Sequence, residues 1–312
     1  MSCGSEDYNR QEVIMLYTDD TYIQKTLFKR EKNTHKGDYG RVLIFAGSPG
    51  MAGAATLAGH TAVKSGAGLV SFLLPDLSDP IYPILQVSSP ECTCVEYSED
   101  FDLSVYDVIA AGPGLGSSDD RLFILNTIIE NYEGILVLDA DALNAVSRYP
   151  ALADSLAESN ADVIITPHPG EADRLLKLDP DLESLRLSKD RAAIVKELAQ
   201  MFNCTAVLKG SGTLVCGNTA TTTFSDEIYD VFENITGNPG MATAGAGDVL
   251  CGLIASLAAQ GYAPLDAARM GVYIHGAAGD KAAKLVGEMG LAASDILGFT
   301  PLILNDYYKE LT

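Results

Sequence analysis

The most informative stretch of the sequence is Asn234-Ile-Thr-Gly-Asn-Pro-Gly-Met-Ala-Thr-Ala-Gly-Ala-Gly-Asp248-Val-Leu-Cys-Gly252, a glycine-dense loop with no charge before Asp248. Its glycines allow tight turns and bring bare backbone N–H groups close to a ligand. The helix predicted over residues 249–260 adds further unpaired N–H groups and the positive end of its dipole. A loop and helix start of this kind favour a bound anion, most often phosphate.

Asp248 is a carboxylate at a position that otherwise favours anions, so its presence requires an explanation. Alone it would repel a phosphate group. The interpretation we prefer is a general base, which takes the proton from a hydroxyl group while that hydroxyl attacks the phosphate. The stretch therefore predicts phosphoryl-transfer chemistry centred on Asp248.

Outside this stretch, short β-rich runs alternate with helical patterns from residue 35 onward, which predicts an α/β fold with a mostly parallel sheet covered on both faces. The predicted strands cover residues 41–46, 69–74, 108–111, 135–138, 163–166, 206–208 and 213–215. The predicted helices cover residues 52–65, 119–131, 142–148, 170–177, 189–202, 249–260, 264–285 and 292–297, with a last turn over 307–311. Residues 35–312 are interpreted as one domain, and residues 1–34 as a polar N-terminal extension with a short amphipathic piece over 23–28.

Glycine-rich or polar segments follow five of the predicted strands. They cover residues 47–48, 112–116, 139–144, 167–171 and 209–212. Because the carboxyl ends of parallel strands form the ligand crevice of an open α/β sheet, these segments are expected to meet at one edge.

The two glycine-rich loops among these segments have more than one interpretation. The loop Gly47-Ser-Pro-Gly-Met-Ala-Gly53-Ala54-Ala55 is not a Walker A motif, because no Lys-Ser/Thr pair follows its last glycine. It is either a tight strand-to-helix turn or a place where the backbone approaches a substrate. The run Gly112-Pro-Gly-Leu-Gly116 lacks the glycine spacing of a dinucleotide-binding fingerprint, which argues against a dehydrogenase.

Four side chains at the predicted edge are candidates for binding. Asp141 is expected to be the N-cap of the next helix. Asp139 then has no local role, and it is a candidate for holding Mg²⁺ through water. His168 lies between two prolines, which favours a ligand contact. Lys209 either reaches a phosphate or belongs to a simple β-turn.

Composition limits the possible functions. The chain has 312 residues, of which 47% are hydrophobic, so it can bury a large core. A net charge of -21 leaves no basic face for nucleic acid. No apolar run approaches the ~20 residues of a membrane span. The polar N-terminus predicts no signal peptide, and the six cysteines are expected to be free thiols in a reducing cytoplasm.

The motifs together resemble the NAD(P)H-hydrate dehydratases, a branch of the ribokinase-like superfamily. They occur in the family's order over residues 35–312. The segments that carry the resemblance cover residues 35–41, 46–48, 53–55, 112–116, 138–144, 166–171, 209–210 and 238–250. The resemblance implies a three-layer α/β/α ribokinase-like fold around a central, mostly parallel sheet.

The resemblance also implies an activity. The family restores NADH and NADPH whose nicotinamide ring has gained water, and it consumes a nucleotide to do so. Residues that match the family's hydrate-binding positions are Ala54, Gly114, His168 and Asp248. Residues that match its AMP-binding positions are Lys209, Gly210, Ser211, Gly212, Thr213 and Gly247. The N–H groups of Ala244, Gly245, Ala246 and Gly247 are expected to stabilise the transferring phosphoryl group.

Finer expectations follow from the same resemblance. The segment Pro239-Gly-Met-Ala-Thr243 is similar to the bacterial form, which uses ADP, and it lacks the arginine of the ATP-using animal and fungal forms. Residues 1–34 are too few for the epimerase domain of many bacterial members, so action on the S epimer alone is expected. The family further implies a Mg²⁺ cofactor and a cytoplasmic homotetramer.

Two other functions remain open. A small-molecule kinase of the same superfamily, of the thiazole or pyridoxal kinase type, would share Asp248 but stop at the phosphorylated product. A non-catalytic nucleotide-binding protein would need no base, and the presence of Asp248 argues against it.

Overall fold

The protein is described from a computed structural model that covers residues 15–218 and 229–310. These residues form one ten-stranded sheet with the order β1-β10-β9-β8-β7-β6-β5-β2-β3-β4, mostly parallel as expected. Only β9 runs antiparallel to its neighbours. The strands are β1 Met15–Thr18, β2 Arg41–Phe45, β3 Leu69–Leu74, β4 Thr93–Glu96, β5 Val108–Ala111, β6 Ile135–Leu138, β7 Asp162–Ile165, β8 Thr205–Leu208, β9 Leu214–Asn218 and β10 Tyr229–Asn234.

Helices cover both faces of the sheet and complete three layers. The helices are α1 Asp20–Thr26, α2 Ala52–Lys64, α3 Tyr82–Ser88, α4 Asp119–Asn131, α5 Ala140–Arg148, α6 Pro150–Ala157, α7 Pro169–Leu176, α8 Glu183–Ser188, α9 Arg191–Met201, α10 Ala246–Ala259, α11 Pro264–Val286 and α12 Ala293–Glu310. One apolar core lies between the sheet and α2, α10, α11 and α12. The other lies between the sheet and α4, α5, α6, α7 and α9.

Side chains of the central strands alternate between these two cores. Val137 of β6 belongs to the first core, whereas Leu136 and Leu138 belong to the second. This period of two is the natural geometry of a strand, and apolar residues at every position are what a sheet buried on both faces requires.

The strand order reverses between β2 and β5. Strands β3 and β4 extend the sheet on one side of β2, whereas β5 and the strands after it extend the sheet on the other side. Such a switch point opens a crevice at the carboxyl ends of the strands. The loops that follow β2 and β5 meet there, since Gly47 N–H donates to Pro113 O at 2.8 Å and Ser48 Oγ donates to Gly114 O at 2.8 Å.

The described part of the predicted N-terminal extension contacts the sheet directly. Met15–Thr18 pairs in parallel with β10 as the sheet's last strand. Ile23 of α1 has no exposed surface and belongs to the first core. The division of the chain at residue 35 stays a prediction, but residues 15–34 share the core of the remainder.

Several elements differ from the sequence-based prediction. Strands β1, β4 and β10 were not predicted; β4 and β1 lie at the two edges of the sheet, where a strand needs only one hydrogen-bonded neighbour. Helix α12 is continuous where two short helices were expected, although it contains Pro301. The end of the predicted last turn, Leu311, lies outside the described residues.

Candidate active site

Helix α10 begins inside the glycine-rich loop, three residues earlier than predicted, at Ala246. Its N-cap is Gly245, whose φ of 88° is a left-handed conformation that glycine adopts without strain. Asp248 therefore lies in the first turn of the helix, where the helix dipole favours a negative charge. The loop and the base candidate are thus one structural unit.

The backbone at this helix start is largely unpaired. The N–H of Ala246 makes a long contact of 3.4 Å to Thr243 O, and the first hydrogen bond of good length runs from Val249 N–H to Gly245 O at 3.1 Å. Within the described residues, the N–H groups of Gly247 and Asp248 have no hydrogen-bond acceptor. Free donors at a helix N-terminus form an anion site.

The Asp248 carboxylate is also unpaired, since it takes part in no hydrogen bond or ion pair within the described residues. Burial, together with the charges of Asp139 and Asp141, raises the pKa of Asp248 from 3.8 to about 6, against the opposing charge of Lys209. A carboxylate with a pKa near neutrality is a better proton acceptor than an ordinary aspartate. This side chain has the properties of a general base.

A buried ion pair faces the helix start from the strand ends. Lys209 Nζ, just after β8, lies 2.5 Å from Asp139 Oδ1, just after β6. Asp139 is 1% exposed. Burial alone would lower the pKa of Lys209, but the charges of Asp139 and Glu171 raise it, so the ammonium stays protonated. A Cβ added at Gly247 would lie 3.4 Å from Lys209 Nζ and 3.5 Å from Asp139 Oδ2, which places the pair directly against the loop.

The aspartate that caps the helix after β6 is not the one expected. Asp139, not Asp141, is the N-cap of α5 and accepts from Ala140 N–H at 2.8 Å. Asp141 lies in the first turn and accepts from Gly116 N–H at 2.8 Å. Helix α5 begins at Ala140, two residues earlier than predicted, and Ala140 has a left-handed φ of 48°.

His168 is the N-cap of α7. Its Nδ1 accepts from the N–H groups of Gly170 and Glu171, while Glu171 Oε2 accepts from His168 N–H at 2.8 Å. This reciprocal arrangement is a capping box. Burial and the charges of Lys209 and Arg174 lower the pKa of His168, so the imidazole is neutral near pH 7 with its proton on Nε2. The imidazole is half exposed, and its Nε2 lies 3.3 Å from Glu171 Oε1.

The predicted nucleotide loop, residues 209–213, connects β8 to β9. Thr213 Oγ1 donates to Gly210 O at 2.9 Å, which closes the turn. Arg191 of α9 supports the loop from behind, with a 2.5 Å hydrogen bond from Nη1 to Ser211 O. Neither Arg191 nor Glu233, whose carboxylate lies against Gly212, was identified from the sequence. No motif marks either residue, because each approaches the loop from a distant part of the chain.

Ala54 and Gly114 are in contact. A Cβ added at Gly114 would lie 2.9 Å from both Ala54 Cβ and Met51 Cβ, and Gly114 has a φ of 56°. Only glycine fits this approach. Leu57, one turn further along α2, packs against Gly245, so this contact lies next to the start of α10.

The structure therefore gathers the predicted residues at one edge of the sheet. The segments after β2, β5, β6, β7 and β8 all lie at the carboxyl ends of parallel strands. Asp248, Gly247, Lys209 and Asp139 form the centre, and the two glycine turns and the β8–β9 loop flank it.

Within the described residues, no group of three or more His, Cys, Asp or Glu side chains has a geometry that could hold a metal ion by itself. Likewise, no helix in the described ranges is long and apolar enough to cross a bilayer. The Asp139 ligand prediction is untested by these observations, because Mg²⁺ bound with a nucleotide takes several ligands from phosphate and water.

Comparison with known proteins gives a consistent result. A family model described as NAD(P)H-hydrate dehydratase matches residues 42–301. The bifunctional NAD(P)H-hydrate repair enzyme of Moorella thermoacetica is 38% identical over 301 residues, which cover 93% of this chain and 54% of that enzyme. The chain thus spans about half the length of the bifunctional relatives it matches.

Two further proteins match over nearly their full length. The ADP-dependent (S)-NAD(P)H-hydrate dehydratase of Neisseria meningitidis serogroup B is 36% identical over 288 residues, which cover 90% of each chain. The ADP/ATP-dependent NAD(P)H-hydrate dehydratase of Bacillus subtilis, crystallised with ATP and Mg²⁺, has a TM-score of 0.75 at 28% identity and covers 95% of this chain and 99% of that one. The expected three-layer ribokinase-like fold is confirmed.

Proposed function

Since the chain belongs to the NAD(P)H-hydrate dehydratase family, we propose that it is an ADP-dependent enzyme that removes water from the S epimer of hydrated NADH and NADPH. The observation that carries this proposal is the unpaired Asp248 carboxylate, with a pKa raised to about 6, at the start of α10. The likeness to relatives that are named as dehydratases supports the substrate class.

The reaction requires that a hydroxyl group be converted into a better leaving group. Asp248 accepts the proton of the C6 hydroxyl while that oxygen forms a bond to the terminal phosphorus of ADP, and the bond from this phosphorus to the bridging oxygen breaks to release AMP. The N–H groups of residues 244–247 stabilise the charge on the transferring phosphoryl group. The ring nitrogen lone pair then expels phosphate from C6, a proton leaves C5, and the dihydropyridine ring is restored.

The paired groups opposite α10 have a different role in this proposal. Lys209 is held by Asp139 at 2.5 Å and therefore presents a fixed positive charge beside Gly247. That charge suits the phosphates of a nucleotide whose base lies along residues 210–213. Ala54, Gly114 and the half-exposed imidazole of His168 surround the nicotinamide end of the hydrate.

Mg²⁺ fits this arrangement as a companion of the nucleotide phosphates. The carboxylates of Asp139 and Asp141 are the hard oxygen donors that Mg²⁺ prefers. Because Lys209 occupies Asp139 Oδ1, Asp139 would hold the ion through water and Oδ2. The ion would supply further neutralisation of phosphate charge.

One turnover experiment tests the proposal. The purified protein is given NADPH hydrate with Mg²⁺ and either ADP or ATP, and the recovery of reduced-nicotinamide absorbance is followed together with AMP and phosphate. Recovery matched by equal AMP and phosphate is expected with ADP. A stable phosphorylated product without recovery would instead indicate a kinase, and no reaction would indicate a non-catalytic nucleotide-binding protein. Strict use of ATP would overturn the choice of ADP.

The assembly and location that we propose from the family resemblance are a homotetramer and the cytoplasm. Analytical ultracentrifugation of the purified protein tests the first. Fractionation of the source cells with an antibody tests the second.

A further inference from the structure

A cavity of about 740 Å³ lies beside the candidate active site, between the turn that ends at Gly116 and the helices α5 and α7. Its volume is within the range of about 300–1,000 Å³ that is usual for small-molecule sites. Neither the proposed base nor any residue of the β8–β9 loop lines it. The cavity is therefore separate from the place where the nucleotide co-substrate is expected.

Two residues connect the cavity to the reacting centre. Asp141 lines the cavity, and its charge contributes to the raised pKa of Asp248. Met51 also lines the cavity, and it contacts Gly114 beside Ala54. A ligand with one end at Asp248 and the other in the cavity would pass these two residues.

The cavity wall is basic although the chain carries a net charge of -21. Arg148, Arg174 and Lys177 all line it. Arg174 donates to Asn144 Oδ1 at 2.8 Å, and Lys177 lies 2.7 Å from Asp173 Oδ2. Arg148 is exposed and makes no hydrogen bond or ion pair within the described residues.

An aromatic face completes the cavity. Tyr149 lines it next to Arg148 and is 42% exposed. Exposed aromatic rings provide stacking surfaces for nucleobases, and free guanidinium groups bind phosphate through two parallel hydrogen bonds. The combination is suited to a phosphorylated adenosine.

We propose that this cavity holds the adenosine half of the hydrated dinucleotide, with the base against Tyr149 and a 2′-phosphate on Arg148 and Lys177. The inference rests on the proposed function and extends it to substrate preference. The unpaired guanidinium of Arg148 makes the protein favour NADPH hydrate over NADH hydrate, because only the former carries the 2′-phosphate.

The first test compares kcat/KM for the two hydrates in the wild type, in Arg148→Ala and in Lys25→Ala. Lys25 is an exposed cation on α1, on a different part of the surface, and its loss changes the net charge equally. In Arg148→Ala the preference for NADPH hydrate should fall about tenfold, through KM, at unchanged kcat. In Lys25→Ala the ratio should stay as in the wild type. An unchanged ratio in Arg148→Ala would overturn the inference and leave the proposed function intact.

A second test does not depend on turnover. Adenosine 2′,5′-bisphosphate is titrated calorimetrically into protein saturated with AMP, so that the nucleotide loop is already filled. Binding that weakens about tenfold in Arg148→Ala but not in Lys25→Ala supports the cavity site, even if no dehydratase activity is found. Absence of binding, or equal binding in all three proteins, would refute it.

Discussion

The two sides of the site differ in the state of their polar groups. On the α10 side, which comprises residues 245–248, the Asp248 carboxylate and the N–H groups of Gly247 and Asp248 have no partner within the described residues. On the strand side, which comprises Asp139, His168, Glu171 and Lys209, every side chain takes part in a hydrogen bond or ion pair.

This difference separates two tasks. Unpaired polar groups in a partly buried place are costly, and they persist where a ligand completes them. Paired groups hold one another in fixed positions. We therefore expect the α10 side to carry out the chemistry and the strand side to fix the geometry and the local charge.

The strongest test of this division is Asp248→Asn, which removes the proposed base and leaves its shape. We expect kcat to fall about 100- to 10,000-fold, as for other general bases. The matched control is Asp19→Asn, since Asp19 caps helix α1 and asparagine caps as well as aspartate. Turnover near the wild-type rate in Asp248→Asn would remove the chemical role of the α10 side.

The strand side is tested through its ion pair. Lys209→Met leaves the buried Asp139 carboxylate without its counter-ion, so the free energy of unfolding should fall by about 3 kcal/mol. The double variant Lys209→Met with Asp139→Asn should recover a large part of this loss, because the carboxylate that was paired with the ammonium is then neutral as well. Denaturant unfolding of both variants measures the difference. Equal losses in the two would show that the pair has no structural coupling.

The Asp248 carboxylate on the α10 side should lower the free energy of unfolding of the protein. Because the pKa of Asp248 is raised from 3.8 to about 6, the folded state binds its proton more tightly than the unfolded state, and stability falls as the pH rises through this window. Asp248→Asn should therefore raise the free energy of unfolding by about 1–2 kcal/mol near neutral pH, with no gain below about pH 4. Unfolding curves at both pH values provide the measurement. A variant less stable than the wild type at neutral pH would contradict the unpaired state of Asp248.

Two glycines of α10 differ in the space around them. A Cβ at Gly247 would meet only ordinary contacts at 3.4 and 3.5 Å, whereas a Cβ at Gly252 would lie 2.1 Å from Ala58 O. Gly247→Ala should raise KM for ADP about tenfold with little change in Tm, because its methyl group occupies ligand space. Gly252→Ala should lower Tm instead. A large loss of Tm in Gly247→Ala would mean that this glycine serves the fold rather than the ligand.

The raised pKa of Asp248 also predicts the pH dependence of the activity. Activity should decline below about pH 6 as Asp248 becomes protonated. Since the charge of Asp141 contributes to the raised pKa, Asp141→Asn should move this limb to lower pH by a fraction of a unit. The profile of kcat/KM in the two proteins tests the shift, and a limb that stays in place would show that Asp141 does not act on Asp248.

The sequence predicted the central strands and the edge where the polar segments meet, because β-rich runs and the segments after them are local signals. It did not predict β1, whose partner strand β10 lies more than two hundred positions away. It also did not predict β10, which pairs with the nearby β9 as well. The same limit applies to the site. Glycine-rich loops are visible in the sequence, but the support of residues 209–213 by Arg191 is a tertiary contact.

Local backbone geometry set another limit. Asp139 and Asp141 are both acceptable helix caps, and the observed cap is Asp139, which is followed by Ala140 with a left-handed φ of 48°. Alanine rarely adopts this conformation, so no composition rule would have favoured it. Asp139, for which the sequence predicted a metal-binding role and no structural role, is thus the helix cap and the partner of Lys209.

The pairing of β1 with β10 has a practical consequence for shortened versions of the protein. The family match begins at residue 42, and a fragment cut there would lose β1 and the fully buried Ile23. Strand β10 would then present a row of free N–H and C=O groups to solvent, which is a template for joining a second molecule. We expect such a truncated protein to aggregate through this edge, even though it would keep all the candidate site residues.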